Sequence, residues 1–172
     1  METRKLLLSS EQIQQRVAEL GQELTREYAG KKLVLMGVLN GAFMFLADLA
    51  KHIELDLEVD FIRVASYGNE TSTSGTIRLT KEPELELVDK DILLVEDIID
   101  TGTTMAWLER YFQDHAVRSV KVCALIDKKE RRQTRVQVDY AAFHIDRGFL
   151  IGYGLDYAQL YRNLPAIYTL SP

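Results

Sequence analysis

The sequence predicts an α/β fold with a mostly parallel central sheet flanked by helices, and three observations carry that reading. Short, wholly apolar runs recur along the chain, as strands buried on both faces require. They alternate with segments whose apolar residues return at helical spacing. Polar turn-forming residues follow three of the runs, and open α/β sheets bind ligands beyond the carboxyl ends of their strands.

The first element is a helix. Ser9 and Gln12 stand at capping-box spacing, and Ile13, Val17, Leu20, Leu24 and Tyr28 follow at helical intervals up to a stop at Gly30. Residues 33–38 read as a buried strand that Asn40-Gly41 interrupts, and 42–51 as a helix. Residues 59–65 read as a second strand. Residues 66–76, rich in Gly, Ser and Thr, read as a mobile loop or loose hairpin. A third strand spans 92–95, a turn 97–103, a helix 104–114 and a fourth strand 120–126. Two further strands are expected at 138–143 and 149–151. The loops after strands, at 39–41, 97–104 and 127–132, are therefore where ligands are expected.

A chain of 172 residues suits one domain with a proper core. Its 21 basic and 26 acidic residues leave a net charge of −5, which argues against bulk electrostatic binding to nucleic acid or anionic lipid. The single cysteine, Cys123, lies in an apolar run and reads as a buried strand residue, since one cysteine builds neither a disulfide framework nor a cysteine zinc site. No apolar run approaches the roughly 20 residues needed to span a bilayer. A cytoplasmic setting is the expectation.

The most informative stretch is 92–104, Ile-Leu-Leu-Val-Glu-Asp-Ile-Ile-Asp-Thr-Gly-Thr-Thr. Unpaired N–H groups at a helix start suit a phosphate. Gly102 lets the backbone come close, and Thr101, Thr103 and Thr104 add hydroxyls. The adjacent carboxylates Glu96 and Asp97 suit ribose hydroxyls or a hydrated magnesium ion. Asp100 supplies a third carboxylate able to trade a proton with a base. A Thr-Gly-Thr-Thr turn by itself is an ordinary helix start. Three carboxylates in five residues, after an apolar strand and before that turn, favour chemistry.

This segment resembles the phosphoribosyl diphosphate motif of type I phosphoribosyltransferases, and the acidic pair with Asp100 resembles their hypoxanthine-guanine branch. Similar motifs extend from about Gly37 to Arg162. The resemblance implies the type I fold over 1–172, with a small hood subdomain and a flexible hood loop at 66–76. It implies purine salvage: transfer of a 5-phosphoribosyl group from phosphoribosyl diphosphate to a 6-oxopurine, hypoxanthine and also guanine, with Mg2+ as cofactor and a homodimer or homotetramer as assembly. It implies a 5′-phosphate held by Thr101, Gly102, Thr103 and Thr104, and ribose hydroxyls and magnesium at Glu96 and Asp97. Asp100 matches the family's acid/base residue at purine N7.

Further positions carry over one by one. Val38-Leu39-Asn40-Gly41 resembles the diphosphate loop, with an implied cis peptide between Leu39 and Asn40; many relatives have Lys or Arg where Asn40 stands. Lys128 matches the lysine that donates to the purine O6, which disfavours adenine. Phe149 matches the stacking aromatic, the carbonyls of Leu150 and Asp156 the base's acceptors, and the Asp156 carboxylate a second metal ligand. Arg162 matches an arginine on diphosphate. Ser66 and Tyr67 match the start of the closing loop. The sequence departs from the family at Ile145-Asp146-Arg147-Gly148, beside the base pocket. Lys129, Arg131 and Arg132 read as a solvated basic run, and His144 as a structural or surface histidine.

The alternative is a regulatory protein of this fold that binds nucleotides or RNA. The filled positions Asp100, Lys128 and Asp156 favour catalysis over it. A Walker loop and a Gly-x-Gly-x-x-Gly fingerprint are both absent from the sequence.

Overall fold

The computed structural model describes residues 3–67 and 76–171. In chain order the elements are β1 (Thr3–Leu8), α1 (Ser10–Glu27), β2 (Leu33–Leu39), α2 (Phe43–Lys51), β3 (Glu58–Tyr67), β4 (Thr76–Lys81), β5 (Asp91–Ile99), α3 (Thr103–Gln113), β6 (Ser119–Asp127), β7 (Tyr140–His144), β8 (Phe149–Ile151) and β9 (Ile167–Ser171).

Six strands form the main sheet in the order β4-β3-β2-β5-β6-β7. All neighbours run parallel except β4, which turns back antiparallel on β3. Alternate residues of each central strand face opposite sides. Leu33 and Leu35 therefore join a core with Ile13, Val17 and Leu20 of α1 and Phe45 and Leu49 of α2. Val34, Met36 and Val38 join the opposite core with Met105, Leu108 and Phe112 of α3. Both faces are covered, so the middle runs of β2, β5 and β6, at 33–38, 92–95 and 122–126, are apolar. Cys123 lies fully buried in β6, and burial pushes its thiol up.

Helix α1 starts as its capping box requires: the Gln12 amide donates to Ser9 Oγ at 3.2 Å, and the Ser9 amide to Gln12 Oε1 at 2.9 Å. α2 is less free than its composition suggests. Phe45, Leu46 and Leu49 all turn into the core, and Phe43 is the large apolar residue left exposed.

Three expectations need correction. The chain has three strands the pattern did not show: β1, β4 and β9. β8 does not extend the main sheet but joins β9 and β1 in a separate antiparallel sheet, order β1-β9-β8. These strands are short and lie at opposite ends of the chain, so their pairing leaves no local periodicity. β5 runs on through Asp97 to Ile99 where a turn was expected, because pairing with β6 continues to Ile99↔Asp127. Of the two readings of 66–76, loop or loose hairpin, the ends agree with a hairpin: Ser66 pairs with Ile77 and Tyr67 with Thr76, antiparallel. The remainder of that expectation, 68–75, lies outside the described residues.

Candidate active site

β2, β5 and β6 are neighbours, so their carboxyl ends deliver the three expected loops to one edge of the sheet. The loop after β2 has a cis peptide between Leu39 and Asn40. It turns directly into α2, with the Phe43 amide donating to the Asn40 carbonyl at 3.3 Å. Gly41 packs so tightly on Asp97 that a Cβ there would overlap the carboxylate. Gly154 has φ +98°, and a Cβ on it would overlap the Gly41 carbonyl. Two glycines thus bring Asp97, the 39–41 loop and the 152–156 turn together.

At the end of β5, Gly102 caps α3 with φ +83°. Its N-cap residue has no side chain to cap it, the Thr103 amide reaches Thr101 Oγ1 only at 3.5 Å, and its first turn holds no acidic residue. Its leading N–H groups and positive dipole end are thus left to a ligand anion. They border a cavity of about 200 Å³ whose lining includes Glu96, Asp100, Thr101, Gly102 and Thr104. Thr103 Oγ1 lies 3.2 Å from Thr134 Oγ1, so that hydroxyl is already engaged outside the turn.

Glu96 and Asp97 are held by amides at their own strand end. Asp97 N–H donates to Glu96 Oε1 at 3.1 Å, and Ile98 N–H to Asp97 Oδ1 at 2.7 Å. Burial, then the Asp97 charge, pushes the Glu96 carboxyl well above its ordinary range. Burial also pushes Asp97 up, against the pull of its hydrogen bonds and of the Arg162 charge. Two crowded carboxylates of this kind favour a bound cation. Magnesium takes one or two protein carboxylates and keeps its remaining places for water and phosphate oxygens. The donor set fits that demand; no three metal-ligating side chains converge among the described residues.

A second cavity, about 230 Å³, is bordered by Asp97, Asp100, Lys128, Phe149, Leu150 and Asp156. Phe149 is 51% exposed and meets Tyr157 edge-on, ring centres 5.6 Å apart. Lys128 is 7% exposed, unusually buried for a lysine, and its Nζ lies 3.2 Å from Glu130. The Asp156 carboxylate accepts from the Gln159 amide at 2.8 Å and pairs with Arg162 at 3.0 Å. Arg162 also donates to the Gly154 carbonyl at 2.7 Å. This arginine therefore braces the 154–156 turn, which is the surface Gly41 rests on.

Asp100 and Ile98 line both cavities. Asp100 Oδ1 is buried without a hydrogen-bond partner, and Oδ2 lies 3.6 Å from the exposed Arg131. A buried carboxylate oxygen left unpaired is costly unless a ligand completes it.

The sequence reading missed Arg132 and Tyr157. Arg132 is not solvated: its guanidinium reaches the carbonyls of Ile99, Asp100 and Lys128 and the Asp127 carboxylate. Nothing in a basic run distinguishes the one residue that folds inward. Tyr157 had a possible signal, its place beside Asp156 in an aromatic-rich stretch. Exposed His144 fits the surface reading. The side chain of Tyr67 lies outside the described features, and Ser66 is exposed at the end of β3.

A carboxylate-bearing strand end, an uncapped helix start and an aromatic-lined second cavity meeting at one aspartate define a phosphoribosyl-binding α/β protein. The phosphoribosyl transferase domain family matches residues 4–158, and the chain belongs to it. It is 45% identical over 168 residues to the hypoxanthine-guanine phosphoribosyltransferase of Bacillus subtilis (strain 168), covering 98% of this chain and 93% of that protein. A crystal structure of a hypoxanthine phosphoribosyltransferase from Staphylococcus aureus matches with TM-score 0.94 at 42% identity, covering 98% of this chain and 91% of that one. A hypoxanthine-guanine phosphoribosyltransferase from Bacillus anthracis, solved with a HEPES molecule in its active site, matches with TM-score 0.92 at 41% identity, covering 97% and 98%.

Proposed function

We infer that this chain transfers the 5-phosphoribosyl group of phosphoribosyl diphosphate to hypoxanthine, and also to guanine, releasing diphosphate. The observation that carries the reading is the position of Asp100, shared by the phosphate-side and aromatic-side cavities and holding an unpartnered oxygen. A residue there faces the bond being made from both substrates at once.

The roles follow from the chemistry of each group. The α3 start and Thr101 and Thr104 hold the 5′-phosphate, with Gly102 admitting it close to the backbone. Glu96 and Asp97 orient the ribose hydroxyls and hold magnesium. When bound, that ion offsets the diphosphate charge as the leaving group departs. The loop Leu39-Asn40-Gly41 receives the diphosphate through its backbone, and Arg162 keeps the turn behind it in place. Positive charge grows on the sugar as the glycosidic bond breaks, and the Asp100 carboxylate opposes it. The same carboxylate exchanges the proton at purine N7.

On the other side Phe149 stacks on the base, edge-supported by Tyr157. The carbonyls of Leu150 and Asp156 accept its N–H groups. The Lys128 ammonium donates to O6, and a 6-amino group offers no acceptor there. The small sheet β1-β9-β8 carries Phe149 and forms the hood over the site. A homodimer or homotetramer and a cytoplasmic setting belong to the same proposal; exposed Phe43 at the start of α2 supports an interface. Among the described residues no helix is long and apolar enough to cross a membrane.

The test is direct. Purified protein with magnesium, phosphoribosyl diphosphate and hypoxanthine should show the absorbance change of nucleotide formation. Guanine should also react, and adenine should not. Turnover of adenine at a rate equal to hypoxanthine would remove Lys128 as the reader of O6. No turnover of any 6-oxopurine would sink the reading.

A further inference from the structure

The loop after β6 is stitched to the turn that carries Asp100. Arg132 Nε donates to the Asp100 carbonyl at 2.9 Å. Its Nη2 donates to the carbonyls of Ile99 and Lys128, each at 3.2 Å, and to Asp127 Oδ1 at 2.5 Å. The side chain is 19% exposed, and Asp127 is 5% exposed. The other basic side chains near Asp127, Lys129 at 4.0 Å and His144 at 3.4 Å, are both largely exposed. Arg132 is therefore the closely bonded partner of a buried carboxylate. There is no slack behind it: a Cβ on Gly102 would come within 3.0 Å of Arg132 Cδ and 2.6 Å of the Thr134 carbonyl. The Thr101 carbonyl accepts from the amides of Gln133 and Thr134, at 2.9 and 3.0 Å.

The carbonyls of Ile99, Asp100 and Thr101 thus all turn toward this loop. A trans peptide is planar, with its N–H pointing opposite to its C=O. Fixing three successive carbonyls on one side turns the amides of Asp100, Thr101 and Gly102 to the other. Asp100, Thr101 and Gly102 also line the phosphate-side cavity. The guanidinium holds two of these carbonyls, and the amides of the residues that follow it, Gln133 and Thr134, hold the third, so the Arg132 segment sets the direction of an amide cradle and the base of the Asp100 side chain.

We propose that Arg132 is a positioning residue for phosphoribosyl transfer, acting on the phosphate-binding amides and on Asp100 without touching either substrate. The proposal rests on the functional reading above. Lysine cannot replace it: a single ammonium can neutralise Asp127 but lacks the planar fork that serves Asp127 and three carbonyls together.

Arg132→Ala and Arg132→Lys test it, with Lys129→Ala as an exposed control on the same loop. Each is assayed beside wild type with magnesium, phosphoribosyl diphosphate and hypoxanthine. Arg132→Ala is expected to lower kcat about 100-fold and raise KM for phosphoribosyl diphosphate about tenfold, since small misplacements of a site cost on that scale. KM for hypoxanthine should stay within about threefold, and added guanidinium should restore part of the turnover. Arg132→Lys should melt near wild type, because Asp127 keeps a cation, yet remain at least about tenfold slow. A folded Arg132→Lys with wild-type kcat and KM would overturn the proposal. So would an Arg132→Lys that does not fold, since the residue would then serve the fold alone. An inactive wild type would instead count against the functional reading, which keeps the two failures apart.

Discussion

The two cavities that meet at Asp100, proposed as a phosphate side and a base side, are built in different ways. The phosphate side is nearly continuous in sequence: Glu96, Asp97, Asp100 and Thr101 to Thr104 follow one another from the end of β5 into α3. Local rules make it, a buried strand ending in carboxylates and a helix starting at an uncapped glycine. The base side is gathered from distant places. Lys128 comes from the end of β6, Phe149 from the small sheet, and Asp156 from a turn braced by Arg162. Its geometry depends on long-range contacts, among them Gly154 on Gly41 and Tyr153 on Asp48 of α2. The first kind of site keeps its shape if its own strand and helix form and the loop carrying Arg132 closes behind them. The second keeps its shape only if the whole molecule does.

Asp100 belongs to both sides, and its removal should have the largest effect. Asp100→Asn keeps the size and loses the charge and the proton-accepting oxygen. Turnover is expected to fall by about 10²–10⁴, the usual worth of a positioned acid/base group. Binding of phosphoribosyl diphosphate should change little, because the amide cradle is untouched. Steady-state kinetics with both substrates varied would separate these. A kcat within a few-fold of wild type would show that the two cavities meet at Asp100 without using it.

Lys128→Ala should act on one side alone. A hydrogen bond from a charged donor is worth about 1.5–3 kcal/mol, so KM for hypoxanthine should rise roughly 10- to 100-fold. KM for phosphoribosyl diphosphate should stay put. An unchanged KM for hypoxanthine would take Lys128 out of the base pocket and leave its ion pair with Glu130 as its role.

The same contrast explains what the sequence could reveal. The 3.6-residue period of α1 and the apolar runs of β2, β5 and β6 are local signals, and each element is found where the pattern put it, within a few residues. The carboxylate cluster before Gly102 is local too. The pairing of Thr3–Leu8 with the last strand is not, because each partner is short and its hydrophobic pattern weak. Nor is the fate of Arg132 legible. Its neighbours Lys129 and Arg131 are exposed, and the inward turn of Arg132 depends on Asp127 and on carbonyls some thirty residues earlier. Lys128 and Phe149, which border one cavity, were named by likeness to a family, since residues scattered over several elements have no spacing rule.

The smallest expected effect probes that long-range support most directly. Tyr153 is almost wholly buried, and its hydroxyl donates to Asp48 Oδ2 at 2.6 Å, an oxygen that Gln14 also reaches at 3.0 Å. Burial pushes Asp48 up, but its bonds from Lys51, Tyr153 and Gln14 outweigh that and hold it below 3.8. A carboxyl depressed in the folded state stabilises the fold above its unfolded value, and that contribution is lost as pH falls through the folded one. Tyr153→Phe should therefore cost about 1–2 kcal/mol at pH 7, with a Tm a few degrees lower. The gap to wild type should narrow as pH falls through the depressed folded value of Asp48, below which it carries a proton in both proteins. Because Tyr153 sits in the turn that leads to Asp156, with Gly41 resting on its neighbour Gly154, the kinetic loss should fall more on KM for the base than on that for phosphoribosyl diphosphate. Equal loss on both substrates would mean that the two sides share a single support, and the contrast between a local and a gathered half-site would collapse.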